Sequence, residues 1–448
     1  MDYIQPSAGL PDKQGTTMKK SKPSRVLPGL FASFLLVTLL LTSVISADET
    51  AQQTRADKIS AAAIEHRLQL EFDGETFSGP AWKRLVAEGG AAQFFLLGEE
   101  HGIAENPQLA AQLFAELADH GYSKLAIEIS PTMARLLDEA LARDGLDGLR
   151  KLYARPGGEP AFFGMTEEAE MLAVVRDVVP TSDPVLWGTD YEVAGDRQLI
   201  KWLEDAEKPA AAEAALKALA DASAASWAEY EETGSPQFIF SFAGDPALVS
   251  AVREAWPEPD PRSEIILNTL EKTLSINRLW VQGKAWESNQ ARASLQRENF
   301  LRYWDAEKKR GAAPRLMAKY GASHIVRGRS QTAVYDLGTL LPEIAAIEGG
   351  HSFSLLVVPG AGSFTAVLNP STWSYEPRPA KDGYAKGIEP LMNAAFDSSF
   401  TLLDLAALRP VVGMNRGELD DELFRVIHGF DMLLVMSGST ASGELEHE

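Results

Sequence analysis

Five short stretches carry groups that could do chemistry together. Glu99, Glu100 and His101 stand in "FFLLGEEHG", where an apolar run stops between two glycines. Glu128 sits near the end of "KLAIEI", Asp190 in "PVLWGTDYE", Arg297 and Glu298 in "REN", and His324 in "YGASH". An imidazole beside carboxylates suits general-base work on a water: His101 takes the proton, and Glu99 or Glu128 fixes its tautomer and stabilises the imidazolium. His324, with Arg297, would then stabilise the oxyanion formed by attack on a carbonyl. Asp190, Glu298 and Glu100 are candidates for substrate binding or support. The same atoms have a second use, because His101, Glu99, Glu128 and His324 also suit Zn or Mn as ligands. Each residue has a plainer reading too. Glu99 and His101 could lie in a solvated loop, Asp190 could cap a helix, and Arg297 and Glu298 could form a surface ion pair.

The elements that must position these groups follow a repeating rhythm. "QFFLLGEEH" reads as a short buried strand entering a loop, with Asn106 as N-cap and Pro107 in the first turn of the next helix. "KLAIEI" is a second strand, followed by Ser130 and Pro131 as cap and first turn. "PVLWGTDYE" is a third. Residues 208–295 are Ala- and Glu-rich or amphipathic, and read as a helical insertion that could cover a cleft. Strands return at 313–328, 351–360 and 430–438. Strand–loop–helix units in succession predict an α/β fold, a mainly parallel sheet flanked by helices. In such sheets ligands bind beyond the carboxyl ends of the strands, and Glu99 with His101, Glu128, Asp190 and His324 all fall at strand ends.

The constellation resembles a known superfamily. "GEEHG" is similar to the Gly-Glu-x-His or Gly-Glu-x-x-His motif of erythromycin esterase-like, Tiki/TraB-like and ChaN-like proteins. "LAIE" resembles their second-strand glutamate and "WGTD" their third-strand Gly-x-Asp. "REN" followed by "GASH" resembles their late Arg-Glu and Gly-x-x-His features, in the same order across residues 90–340, and "FDMLLVMSGST" resembles the closing strand. Erythromycin esterases have two residues between Glu and His. This chain has one, Glu100, which places it nearer the Tiki and ChaN side. The resemblance implies a water-activating hydrolase of an ester, lactone or amide in the esterase branch, a metal-dependent peptidase in the Tiki branch, and haem handling without catalysis in the ChaN branch. In that last case a His or Tyr would be the axial ligand.

Composition bounds the remaining possibilities. The 448 residues are 45% hydrophobic and 23% charged, an ordinary globular balance. The net charge of −21, with no basic stripe, argues against nucleic acid as a partner and leaves a small molecule or peptide as the expected substrate. There is no cysteine, so disulfides, thiolate metal sites and a cysteine nucleophile are excluded. Neither a Gly-x-Ser-x-Gly elbow nor a His-Glu-x-x-His helix is present. Residues 1–47 read as a signal peptide or N-terminal membrane anchor: "MKKSKPSR" is basic, "VLPGLFASFLLVTLLLTSVISA" uncharged, and small residues close it. Met1 or Met18 could be the start. The main domain is then expected to be exported, to a periplasm or outside the cell, with a membrane contact only through an uncleaved N-terminal segment. Residues 48–80 read as linker and lead-in, 81–438 as the α/β domain, and 439–448 as a disordered tail.

Overall fold

The computed structural model describes residues 55–446, apart from 156, 182, 312, 370–373, 381–385 and 414–418. Residues 1–47, expected as a signal peptide or membrane anchor, lie outside the described residues. The chain divides into two units, Met1–Lys58 and Ile59–Glu448, and the sheet with its flanking helices belongs to the second. Among the described residues no helix is long and apolar enough to cross a membrane.

Six strands form the parallel heart of a nine-stranded sheet: β3 (Phe94–Glu99), β4 (Tyr122–Ile127), β5 (Leu186–Gly188), β6 (Arg315–Gly321), β7 (Ser352–Pro359) and β11 (Met432–Met436). They correspond to the six apolar runs of the sequence, and the α/β expectation holds. Three further strands extend the sheet antiparallel at one side, β1 (Arg67–Phe72), β2 (Phe77–Ser78) and β10 (Phe400–Asp404), giving the order β2-β1-β10-β11-β7-β3-β6-β4-β5. The linker expected over 48–80 therefore contains two strands. "RLQLEF" alternates apolar and polar residues because it is partly exposed, and so lacks the continuous apolar run of a central parallel strand.

Strand side chains alternate between the two faces of the sheet. On β3, Phe95 and Leu97 enter one core, with α1 (Gly79–Ala91), α2 (Glu105–Ala118), α3 (Pro131–Asp144), α4 (Leu146–Tyr153) and α5 (Thr166–Val178). Phe94 and Leu96 enter the second core, on the other face. Ser130 caps α3 as expected, accepting from Met133 N at 3.1 Å. Asn106 is no cap. Helix α2 begins at Glu105, and Asn106 Nδ2 donates instead to the Glu100 carbonyl at 2.8 Å, closing the loop after β3.

The helical region is longer than 208–295. It runs through α6 (Asp196–Asp205), α7 (Ala210–Thr233), α8 (Phe240–Ala243), α9 (Pro246–Ala255), α10 (Pro261–Val281) and α11 (Ala285–Lys309). Leu199, Leu216, Trp227, Phe240, Val249 and Leu267 give it a core of its own. Helix α11 also returns to the sheet, where Phe300 and Trp304 pack in the second core against Phe94. Two elements then follow β6 on that same face: the single turn α12 (Ala322–Ile325), and α13 (Leu337–Ile347). Adjacent strands β3 and β6 thus send their following helices to opposite faces. The gap between those connections is the crevice in which open α/β sheets bind ligands.

A hairpin of β8 (Phe364–Asn369) and β9 (Ser374–Pro379) clamps the loop after β3. Ala366 N donates to Gly102 O at 2.7 Å, and Thr365 Oγ1 to His101 O at 2.8 Å. Gly102 has a φ of +86°, and a Cβ there would lie 2.1 Å from the Ala366 carbonyl oxygen, so only glycine fits.

The tail expected to be disordered is ordered as far as Glu446. Thr440 O accepts from Ala104 N, Thr440 N donates to both oxygens of Glu105, and Glu444 pairs with Met165. Leu445 is 2% exposed in the first core. Its polar composition conceals this, because its backbone partners lie some 280 to 340 residues away in sequence. Leu445→Ala is expected to lower stability by roughly 2–5 kcal/mol, read from the urea midpoint. A solvated tail would leave the midpoint where it is.

Candidate functional site

Sheet alternation splits the charges at the end of β3, β4 and β6 between the two faces. Glu99 follows Phe95 and Leu97 on the first face, and Lys319 of β6 points to the same side with Met317. Lys319 Nζ lies 2.7 Å from Glu99 Oε1 and 2.6 Å from Glu168 Oε1 on α5, all three groups being buried. Glu128 lies one residue beyond β4, in phase with Ala126 on the second face. Its Oε2 accepts from Gly321 N at 2.8 Å and its Oε1 from Arg292 Nη2 at 2.5 Å.

His101 joins the two groups. Its Nδ1 is 3.0 Å from Glu99 Oε1, and its Nε2 is 3.4 Å from Glu128 Oε2. The Phe162 ring stacks on the imidazole at 4.2 Å and 17°, from a backbone with φ +67°. The Tyr375 hydroxyl of β9 accepts from Phe162 N at 3.1 Å. Gly321 stands opposite Glu99 in the β3–β6 register, and a Cβ there would meet His101 Nε2 at 3.1 Å and Glu128 Oε2 at 3.3 Å. The missing side chain is what lets the imidazole approach Glu128.

Asp190 and His324 complete the assembly. Arg292 Nε lies 3.0 Å from each Asp190 oxygen, and Gln296 Nε2 donates to Oδ2 at 2.9 Å. Asp190 thereby grips the guanidinium that also touches Glu128. His324 Nε2 is 3.4 Å from Glu128 Oε1, while its Nδ1 is held by Asp336 Oδ2 at 2.6 Å. The structure therefore brings together Glu99, His101, Glu128, Asp190 and His324. It does not bring Arg297 or Glu298. Arg297 donates to Ala293 O and Ser294 Oγ within its own helix, and Glu298 is exposed. The arginine of the site is Arg292, five residues earlier on another face of α11. Glu100 contributes its backbone carbonyl to the loop.

Two signals in the sequence point to groups that the motifs miss. Arg292, Gln296 and Asn299 recur at i, i+4 and i+7, a polar stripe on α11 facing the sheet, where Asn299 Nδ2 donates to Thr189 O at 2.7 Å. Lys319 is the one charge inside "LMAKYG", and a charge in the middle of a buried strand needs a partner. Asp336 and Glu168 carry no local signal.

The electrostatics follow from this packing. Burial would lower the His101 pKa, but hydrogen bonds to Glu128 and Glu99 and the charges of both outweigh it and raise the imidazole to about 9. Burial likewise opposes the proton on His324, yet Glu128 and Asp336 carry it to about 10 against the opposing charge of Arg292. Burial pushes Glu128 upward, and His324, His101 and Arg292 more than reverse that, holding it well below the usual carboxylate range. Glu99 is lowered by Lys319 and His101 against its own burial. Glu168 goes the other way: burial and the neighbouring Glu99 raise it to about 7 despite Lys319.

The gathered histidines and carboxylates do not fit a metal ion, nor an axial histidine for a haem iron. Among the described residues no three or more His, Asp and Glu side chains are arranged to hold a cation. Glu99 is committed to Lys319 and His101, Glu128 to Arg292, Gly321 and two imidazoles, and both nitrogens of each histidine face carboxylates. A metal would have to displace two fixed cationic side chains, and an axial histidine from this cluster would have to break a buried pair.

Both imidazoles have folded pKa values above their ordinary 6.5, so their stabilisation is complete below that pH and is lost as pH rises through about 9 and 10. Glu128 and Glu99 lie below their ordinary 4.5, so theirs is lost as pH falls beneath it. Unfolding free energy is therefore expected to decline steadily above pH 6.5. His101→Gln should flatten that alkaline decline, as measured by urea unfolding across pH 6–10.

No family profile and no curated protein matches the chain. Solved structures do resemble it. A Bacillus cereus protein of a structural-genomics programme covers 87% of this chain and 99% of its own, with 14% identity and a TM-score of 0.53. A succinoglycan biosynthesis protein covers 87% and 98%, with 14% identity and a TM-score of 0.54. A histidine-to-asparagine mutant of the erythromycin esterase EreC, in its open conformation, covers 85% and 98%, with 15% identity and a TM-score of 0.53. At these identities the likeness is one of fold: the chain shares the α/β architecture of these three structures.

Proposed function

We propose that the cluster is the active site of a hydrolase that activates water to cleave an ester, lactone or amide in a small molecule or peptide. The observation that carries the reading is His101 set between two carboxylates, beside two cationic groups fixed by carboxylates of their own. Neutral His101 keeps its Nδ1 proton on Glu99. Its Nε2, with Glu128 at a long 3.4 Å, is then the atom that accepts a proton from water. As the water oxygen bonds to the carbonyl carbon, that proton passes to Nε2 and the carbonyl oxygen takes up negative charge. His324 Nε2–H and Arg292 supply the positive field for it, each preoriented by Asp336 and Asp190. The leaving oxygen or nitrogen then receives the proton back from Nε2, and the imidazole is regenerated. Phe162, stacked on His101, covers one face of the ring.

The basic and then apolar N-terminal stretch supports export of this domain, with a periplasm or the extracellular space as its place of work. The engaged donors favour metal-free hydrolysis over both the metallopeptidase and the haem-holding alternatives.

Release of p-nitrophenol from p-nitrophenyl acetate, alongside a panel of simple lactones, tests this reading. His101→Gln should lose roughly 10²–10⁴-fold in kcat, and Arg292→Met or His324→Gln roughly 10²–10³-fold. Arg297→Met should behave as the parent. Because the working imidazole is neutral, kcat/KM should climb with pH and level off at about 9. Undiminished turnover in His101→Gln would reject the assignment.

A further inference from the structure

The hydrolase reading leaves two members of a buried trio on the far face of the sheet, Lys319 and Glu168, without a role. Lys319, Glu99 and Glu168 are each 2% exposed or less. Glu99 Oε2 and Glu168 Oε2 are buried with no hydrogen-bond partner, so each carboxylate bonds through its other oxygen. A lysine in the middle of a β-strand facing an apolar core is a large desolvation penalty, and packing gives no reason for it. The Phe163 ring 5.7 Å from Nζ and the first core surround it.

Its position gives the reason. Glu99 Oε1 accepts both from His101 Nδ1 at 3.0 Å and from Lys319 Nζ at 2.7 Å. The imidazole and the ammonium thus compete for one oxygen. On the other side of the imidazole, Glu128 is balanced in the same way by Arg292 and His324. Each carboxylate flanking His101 has a cation of its own. Without them, two buried carboxylates would hold the imidazolium proton so firmly that the ring could not act as a base.

We propose that Lys319, held in place by Glu168, is a positioning residue for His101 that acts through Glu99. It fixes the carboxylate that orients the imidazole, and it draws charge from that carboxylate so that His101 releases its proton more readily. The proposal rests on the hydrolase reading for its purpose, while its electrostatic content can be measured without any substrate. The charged groups facing His101 are Glu99, Glu128 and Glu168; Lys319 faces Glu99 and Glu168 in turn, and Arg292 and His324 face Glu128. Those facing Glu168 are Lys319, Glu99 and His101, with Tyr153 and Tyr375 also within its field. The pairwise signs are therefore defined. Removing the Lys319 charge strengthens the hold of Glu99 on the His101 proton. Removing the Glu168 charge frees more of the Lys319 field to act on Glu99, and weakens that hold.

The experiment is a side-chain NMR titration of the full chain labelled with [15N]histidine. His101 is assigned among the seven histidines by its loss in His101→Gln. Lys319→Met should raise the His101 titration by about 1 unit or more, and Glu168→Gln should lower it. Lys319→Arg should stay near the parent. In p-nitrophenyl acetate hydrolysis, the rising limb of kcat/KM should move with the NMR value in each variant. A residue that merely supports the fold would shift neither limb nor titration, and would not give opposite signs. Should Lys319→Met fail to fold, Glu168→Gln and Lys319→Arg carry the test, with urea midpoints confirming that they are folded. An unchanged or reversed His101 titration in the folded variants would overturn the proposal. Titrations that shift as stated in a protein inactive on every ester and lactone would instead overturn only the hydrolase reading.

Discussion

The Glu128 carboxylate is the point on which the site depends. It is buried at the end of a parallel strand, where an unpaired charge would be prohibitively desolvated. It survives because four parts of the chain converge on it: the Gly321 amide, the Arg292 guanidinium and the His101 and His324 rings. The loops after β3 and β6 and helix α11 are therefore not free to settle independently. Each must present its polar group to the same two oxygens. Asp190 and Asp336 extend this demand outward by fixing Arg292 and His324 in turn.

The alternation of strand side chains decides which charges can cooperate. Glu99 and Glu128 both lie at strand ends, yet they project toward opposite faces and are balanced by different cations. His101 comes two residues beyond its strand, where the backbone has left the sheet, and so can reach both. Gly321 permits that reach by carrying no side chain, and Gly102 permits the hairpin to press on the same loop. One glycine serves the imidazole and the other serves its backbone.

Much of this is legible in the sequence, for physical reasons. Parallel strands buried on both faces read as continuous apolar runs, which is why all six are visible and why polar groups at their ends stand out. Strand β1 alternates and is partly exposed, so it gives no such signal, while the buried β10 runs directly into a helix of similar apolar composition, Leu405–Val412, which hides its boundary. A motif read along the chain picks Arg297 over Arg292 because it ignores helical phase. The stripe of Arg292, Gln296 and Asn299 carries the phase that decides it. Lys319 announces itself as a charge in an apolar strand, but its partner Glu168 comes from a helix 151 residues away, and no local pattern encodes that distance. The C-terminal residues look disordered for the same reason, since composition cannot report a backbone pairing made across the whole fold.

Phe162 holds a left-handed backbone conformation that non-glycine side chains adopt at an expense of about 1 kcal/mol or more. Its stacking on His101 and its amide's bond to Tyr375 offset that strain. The ring is consequently a lightly latched shutter. A flat or apolar group of a ligand that took its place over the imidazole would replace the stacking it gave up and release the backbone strain besides.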